Sequence, residues 1–244
     1  MDTCLIRERY KVIRTIWQQE GYAGVEAVDI QDRETPTCLL NFYEGELFRR
    51  YGRIYAQVTP ECCPAFQKVF LEGETLVAVF RGCTGVPIDQ AFFQGDQWSW
   101  QDRLYYAGQL LHQALLLSDL PPELACAALL SANVRLDPAD RRVQLRFLMC
   151  PMEEMEPREL ALLAQDQLRK ILPRRLSVPA AQEEFFALLD RASCATMVPL
   201  YAQWLRWEPE IRAGYGQYEE KNMFQKALFI LKRWFARRKS GGRR

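Results

Sequence analysis

Eight cysteines, one histidine and scattered amides and acids are the residues of this 244-residue chain with the first claim to chemistry. The thiols stand at Cys4, Cys38, Cys62, Cys63, Cys83, Cys126, Cys150 and Cys194, with no C-x-x-C pair. A Cys/His zinc site needs clustered ligands at short spacing, and the adjacent Cys62 and Cys63 chelate one tetrahedral ion poorly. The expectation is therefore reduced, mostly buried thiols and no metal. A Ser-His-Asp or Cys-His hydrolase would route its proton through His112, the only histidine. It sits in the apolar run LLHQALLL with no acid close in sequence, so a packing role is expected.

The elements that position these residues follow from composition and periodicity. Hydrophobic residues make up 49% and charged residues 26%, a balance that suits a folded globular chain and excludes a wholly disordered or collagen-like one. No apolar run reaches the roughly 18 residues that cross a bilayer, and MDTCLIRERY is too charged for a secretory signal. A cytoplasmic protein is expected. Strand patterns cover 9–17, 24–30 and 37–43, then a helical spacing over 44–58, then strands over 65–72 and 75–81 joined at Glu72-Gly73-Glu74. This βββαββ unit precedes a long helix over 98–120 stopped by Pro121-Pro122, two short strands around Asp137-Pro138-Ala139-Asp140, and helices near 157–172, 180–192 and 196–207. Pro157, Pro173, Pro179 and Pro209 mark their ends.

This order resembles the protein-kinase fold over roughly residues 9–207: α+β, with a small antiparallel β N-lobe carrying one helix and a reduced, mainly helical C-lobe. The corresponding limits are 9–82 for the N-lobe, 83–215 for the C-lobe and 216–244 for a basic C-terminal helix and tail. The glycine-rich loop of kinases has as its counterpart EGYAGVEAV, which keeps Gly21 and Gly24 without the full G-x-G-x-x-G. C-L-L-N aligns with V-A-I-K and puts Asn41 where a kinase has its phosphate-contacting Lys. From Leu47 to Pro60 there is no acid to pair with that Lys, while Arg49, Arg50 and Arg53 are basic. C-A-A-L-L-S-A-N aligns with the catalytic loop H-R-D-L-x-x-x-N, which puts Cys126 for His, Ala128 for the base and Leu130 for the loop Lys and leaves Asn133 as the metal-ligand match. In the x-D-F-G place, Arg146 replaces the metal-binding Asp, Phe147 remains, and Leu148 replaces Gly.

Phosphoryl transfer needs charged partners for phosphate, magnesium and the hydroxyl proton, and these positions lack them together. The resemblance thus implies a catalytically degraded, bacterial-style pseudokinase with no catalytic residue and no cofactor, working through a protein partner as scaffold or regulator in a signalling or secretion assembly. Two rivals stay open: an atypical phosphotransferase or nucleotide-binding protein using Asn133 with Asp137 or Asp140, and an α+β adaptor unrelated to kinases. For Arg146, pairing with an anion competes with a salt bridge to a neighbouring acid.

From Lys221 to Arg244 there are nine Lys or Arg and no acid, against 23 basic and 31 acidic residues before them. The body should therefore not bind nucleic acid through its overall field. At helical spacing Phe224, Ala227, Leu228, Leu231, Trp234 and Phe235 share one face, with Lys226, Lys232, Arg233 and Arg237 largely away from it and Arg238 following. Such a basic amphipathic helix suits an anionic membrane surface at the inner face of the membrane, or a partner. The competing expectation is that its apolar face closes the core.

Overall fold

The computed structural model describes residues 5–34, 37–93, 98–191 and 194–241. Nine strands and eight α-helices are seen among them: β1 (Leu5–Ile6), β2 (Tyr10–Gln19), β3 (Tyr22–Asp29), β4 (Thr37–Tyr43), α1 (Gly45–Tyr55), β5 (Phe66–Glu72), β6 (Thr75–Arg81), β7 (Val86–Pro87), α2 (Ile88–Phe93), α3 (Trp100–Leu116), α4 (Pro122–Ala128), β8 (Val134–Asp137), β9 (Arg142–Leu145), α5 (Pro157–Ile171), α6 (Ala180–Arg191), α7 (Met197–Glu219) and α8 (Met223–Gly241). A single 3-10 turn, Leu117–Asp119, ends α3.

The first six strands form one antiparallel sheet in the order β1-β2-β3-β4-β6-β5. Alternation decides its faces, because successive side chains point to opposite sides. Leu39, Asn41 and Tyr43 of β4 face the main core together with Leu76, Ala78 and Phe80 of β6. Cys38 and Leu40 face the other way and meet Val77, Val79, Tyr10, Val25 and Phe70 in a second, smaller core. The sheet curls around that second core until its two rims meet: Tyr10 stacks on Phe70 at 6.1 Å, and Arg7 Nη2 donates to the Leu71 carbonyl at 2.7 Å.

The rest of the chain is built on α3. Ser99 caps it, accepting from the Asp102 amide at 3.0 Å, and Leu104, Ala107, Leu110, Leu111 and Ala114 bury its inner face. Helix α5 starts at Pro157 with a capping box between Glu156 and Glu159, which satisfies orphan amides at both positions. Helices α5 and α7 pack on α3. Strands β7, β8 and β9 form a second, three-stranded sheet.

Two expectations need correction. Helix α7 does not stop at Pro209 but runs through it to Glu219. Proline removes the bond to the carbonyl four residues back, here that of Leu205, on a side of the helix where Leu205 is 57% exposed. His112 is not packed; it lies on the exposed side of α3, its ring 6.2 Å from that of Tyr201. Strand β1 and the short elements β7, α2 and α4 were not legible in the periodicity.

Candidate functional site

Asn41 lies at the junction of the two halves of the molecule. Its strand partners are Gly24 on β3 and Ala78 on β6, and it is fully buried. Its Oδ1 accepts from the Tyr22 hydroxyl at 2.8 Å and from the Met149 amide at 2.7 Å, while its Nδ2 donates to the Phe147 carbonyl at 3.0 Å. The Met149 amide can only donate and the Phe147 carbonyl can only accept, so the orientation of the side-chain amide is fixed. The residue at the expected lysine position thus spends its polar atoms on the backbone after β9.

Tyrosines extend this connection. The Tyr43 hydroxyl donates to the Met149 carbonyl at 2.7 Å and lies 2.9 Å from the Tyr55 hydroxyl. The Tyr51 hydroxyl accepts from the Met152 amide at 3.0 Å, and its ring stacks on Tyr43 at 4.2 Å. Tyr51 and Tyr55 stand one turn apart on the buried face of α1. Burial pushes the phenol pKa up at Tyr22, Tyr43, Tyr51 and Tyr55, so all four are neutral at ordinary pH. Sequence reasoning placed Tyr51 and Tyr55 on a helical apolar face but missed this hydrogen bonding; the only signal was the richness in tyrosine.

Gly21 sits in the tight turn between β2 and β3 with φ +67°, a backbone shape that favours glycine. Gly24 has another reason. A Cβ there would lie 2.1 Å from Leu148 Cδ1 and 2.9 Å from the Tyr22 hydroxyl. Leu148 therefore presses against β3 at Gly24. Phe147 stacks on Phe80 at 5.1 Å, nearly parallel.

The stretch aligned with the catalytic loop starts at the end of a helix and continues as turns: Cys126 and Ala128 lie in α4, buried, and Leu130 follows it, half-buried. Burial pushes the Cys126 thiol up to about 12, which leaves it an unreactive thiol at neutral pH. Asn133 is buried, and its Nδ2 donates to the carbonyls of Ala127 at 2.7 Å and Leu148 at 2.9 Å. Asp137 caps its own turn, accepting from the amides of Ala139 and Asp140 and from the Thr84 hydroxyl at 2.9 Å. Among the described residues no cluster of three metal-ligating side chains is found, and the seven described cysteines are free thiols.

Arg146 is half-buried beside a cavity of ≈ 40 Å³ between the two halves. Among the described residues no carboxylate lies within ion-pair distance of it, so the expected salt bridge to a neighbouring acid is not formed. Burial, then the nearby Arg135 charge, lowers its guanidinium pKa from the ordinary value.

Helix α8 departs from the expectation that its apolar face closes the core, and turns two of its cations inward. It meets the body through Phe229, whose ring lies 5.2 Å from that of Tyr218, and through Arg233, which donates to the Val178 carbonyl and pairs with Glu183. Lys226 lies over the Tyr218 ring at 5.7 Å. Arg233 and Lys226, expected at a membrane or partner contact, are therefore turned toward the body. The apolar stripe does not close the core: Phe224, Leu228, Leu231, Trp234 and Phe235 are exposed, Phe224 by 78%. Lys232 is exposed, Arg238 packs its guanidinium 4.3 Å over the Trp234 ring, and the side chain of Arg237 lies outside the described residues. No described helix is long and apolar enough to cross a membrane.

No protein-family model matches the chain, and no curated protein does. Among solved structures it is similar to the PknI kinase domain of Mycobacterium tuberculosis, with a TM-score of 0.51 and 14% identity over 88% of this chain and 99% of that one. The chain therefore has a protein-kinase-like fold.

Proposed function

We propose that this chain is a non-catalytic pseudokinase that acts as a protein-interaction scaffold or regulator. The observation that carries the reading is Asn41: the position of the phosphate-contacting lysine is filled by a buried amide whose hydrogen bonds all go to the protein itself. Leu148 against Gly24, Ala128 in a helix and Arg146 in the magnesium corner support the same reading. Transfer from ATP needs neutralised phosphate and a placed metal, and the ≈ 40 Å³ cavity beside Arg146 is far below the few hundred Å³ of a typical small-molecule site. The phosphotransferase built on Asn133 and Asp137 loses ground because Asp137 caps its own turn and Asn133 commits its Nδ2 to the Ala127 and Leu148 carbonyls, leaving only a buried Oδ1 without a hydrogen-bond partner.

The exposed stripe of α8 marks the surface through which the protein meets its partner layer, and an anionic membrane suits it. Trp234 and Phe235 would enter the acyl boundary with the exposed Lys232 and Arg238 near the headgroups, each such cation contributing about 1 kcal/mol near the surface.

Thermal denaturation with adenosine, ATP and inorganic triphosphate, each with and without magnesium, tests the first statement. No shift is expected with adenosine, and none with magnesium-ATP beyond that given by inorganic triphosphate. A magnesium-dependent shift specific to ATP, with phosphate transfer lost in Asn133→Ala, overturns it. Flotation with vesicles containing phosphatidylserine tests the second: salt-sensitive binding is expected, and equal binding after deletion of 221–244 contradicts it.

A further inference from the structure

Four charged side chains gather around the small cavity between the halves of the molecule: Arg14 of β2, Glu26 of β3, Arg135 of β8 and Arg146, which follows β9. Its ≈ 40 Å³ is about three times the minimum for one water, room for a compact ion and not for a nucleoside. Three guanidiniums share one carboxylate. Arg14 Nε takes it, donating to Glu26 Oε2 at 2.7 Å. Arg135 gives Nη1 to the Gly85 carbonyl at 2.7 Å, and its Nε is buried without a hydrogen-bond partner. Arg146 meets no carboxylate among the described residues, and the Arg135 charge works against its own.

Two half-buried like charges that border one polar space repel each other, and a buried N–H left unpaired keeps its desolvation cost uncompensated. A multiply charged oxyanion removes both penalties, since its oxygens accept from the planar donor forks of Arg135 and Arg146 and its charge offsets theirs. We propose that this cavity binds a free tetrahedral oxyanion, inorganic phosphate or sulfate, held by Arg135 and Arg146 with Arg14 at the rim. Glu26 opposes the anion and moderates its affinity. Because Arg14 and Glu26 come from the curled sheet while Arg135 and Arg146 come from the β8–β9 region, the bound ion ties the two halves together. The site shares Arg146 and this cavity with the non-catalytic reading, but magnesium-free oxyanion binding and magnesium-ATP binding are separate measurements, so one reading fails without the other.

Isothermal titration of the full chain with phosphate and with sulfate, at matched ionic strength against a chloride control, tests the assignment. Saturable binding is expected for both oxyanions and not for chloride. Arg146→Gln and Arg135→Gln, checked for native circular dichroism, should each weaken binding tenfold or more. Glu26→Gln should tighten it several-fold, a gain that misfolding cannot produce. The proposal is overturned if the wild-type chain gives no saturable oxyanion binding, if folded Arg146→Gln binds as well as wild type, or if Glu26→Gln weakens binding. A phosphomonoester such as phosphoserine binding more tightly than inorganic phosphate overturns the assignment to the free ion.

Discussion

Asn41 holds three hydrogen bonds where no water can replace them, so its loss strands the Met149 amide and the Phe147 carbonyl in the interior. Asn41→Leu keeps the volume roughly constant and removes only the polar partner. It should lower unfolding stability by about 3 kcal/mol, measured in urea, since each stranded buried group costs on the order of 1–3 kcal/mol. A steric prediction stands beside it. Gly24→Ala drives a methyl group to 2.1 Å from Leu148 Cδ1 and should destabilise the fold, whereas adding Leu148→Ala should recover part of the loss. A double-mutant cycle with strong coupling is expected; additive effects would contradict this contact. None of this was legible in the chain. Asn41 was read as an absent charge, and its partners lie 106 and 108 residues away, beyond the reach of any local pattern.

Elements with clean alternation between turn residues were readable. Strands β4 and β6 match the expected limits residue for residue because both are apolar runs bounded by Pro, Gly or a hairpin turn, and both faces of the sheet are covered. Helix α7 outruns its predicted end because Pro209 costs it one backbone bond, on a side of the helix where Leu205 is exposed, and the helix continues to Glu219. Helix α8 was legible as a helix and as amphipathic, yet the face it turns inward was not, since Phe229, Tyr218 and Glu183 attract the less apolar side. Deleting 221–244 removes the Arg233–Glu183 pair and the Phe229–Tyr218 contact but little of the core. Thermal unfolding should therefore remain cooperative, with a midpoint lowered by only a few degrees; collapse of the fold would instead give α8 a core role.

At the scale of the molecule, the tyrosines that join the sheet to the chain after β9 make cohesion vulnerable to alkaline pH. Tyr22, Tyr43, Tyr51 and Tyr55 have phenol pKa values raised above the ordinary 10.0 by burial. Below that value the phenols are neutral in both states and the stability is fully present. Above it the unfolded chain releases protons that the folded one retains, so stability falls as pH rises. Phenolate absorbance followed with circular dichroism should show exposed tyrosines ionising first and these four ionising only with unfolding.

The meeting of Arg7 with Leu71 bears on how the protein behaves in a crowded solution. A strand at the border of a sheet offers unpaired amides and carbonyls that recruit copies of itself into aggregates. Here one border carbonyl is already claimed by a guanidinium 64 residues away, and Tyr10 against Phe70 shields the adjoining apolar surface. Arg7→Ala should leave the fold cooperative yet shorten the time before turbidity appears on mild heating, which marks this seam as a safeguard against self-association.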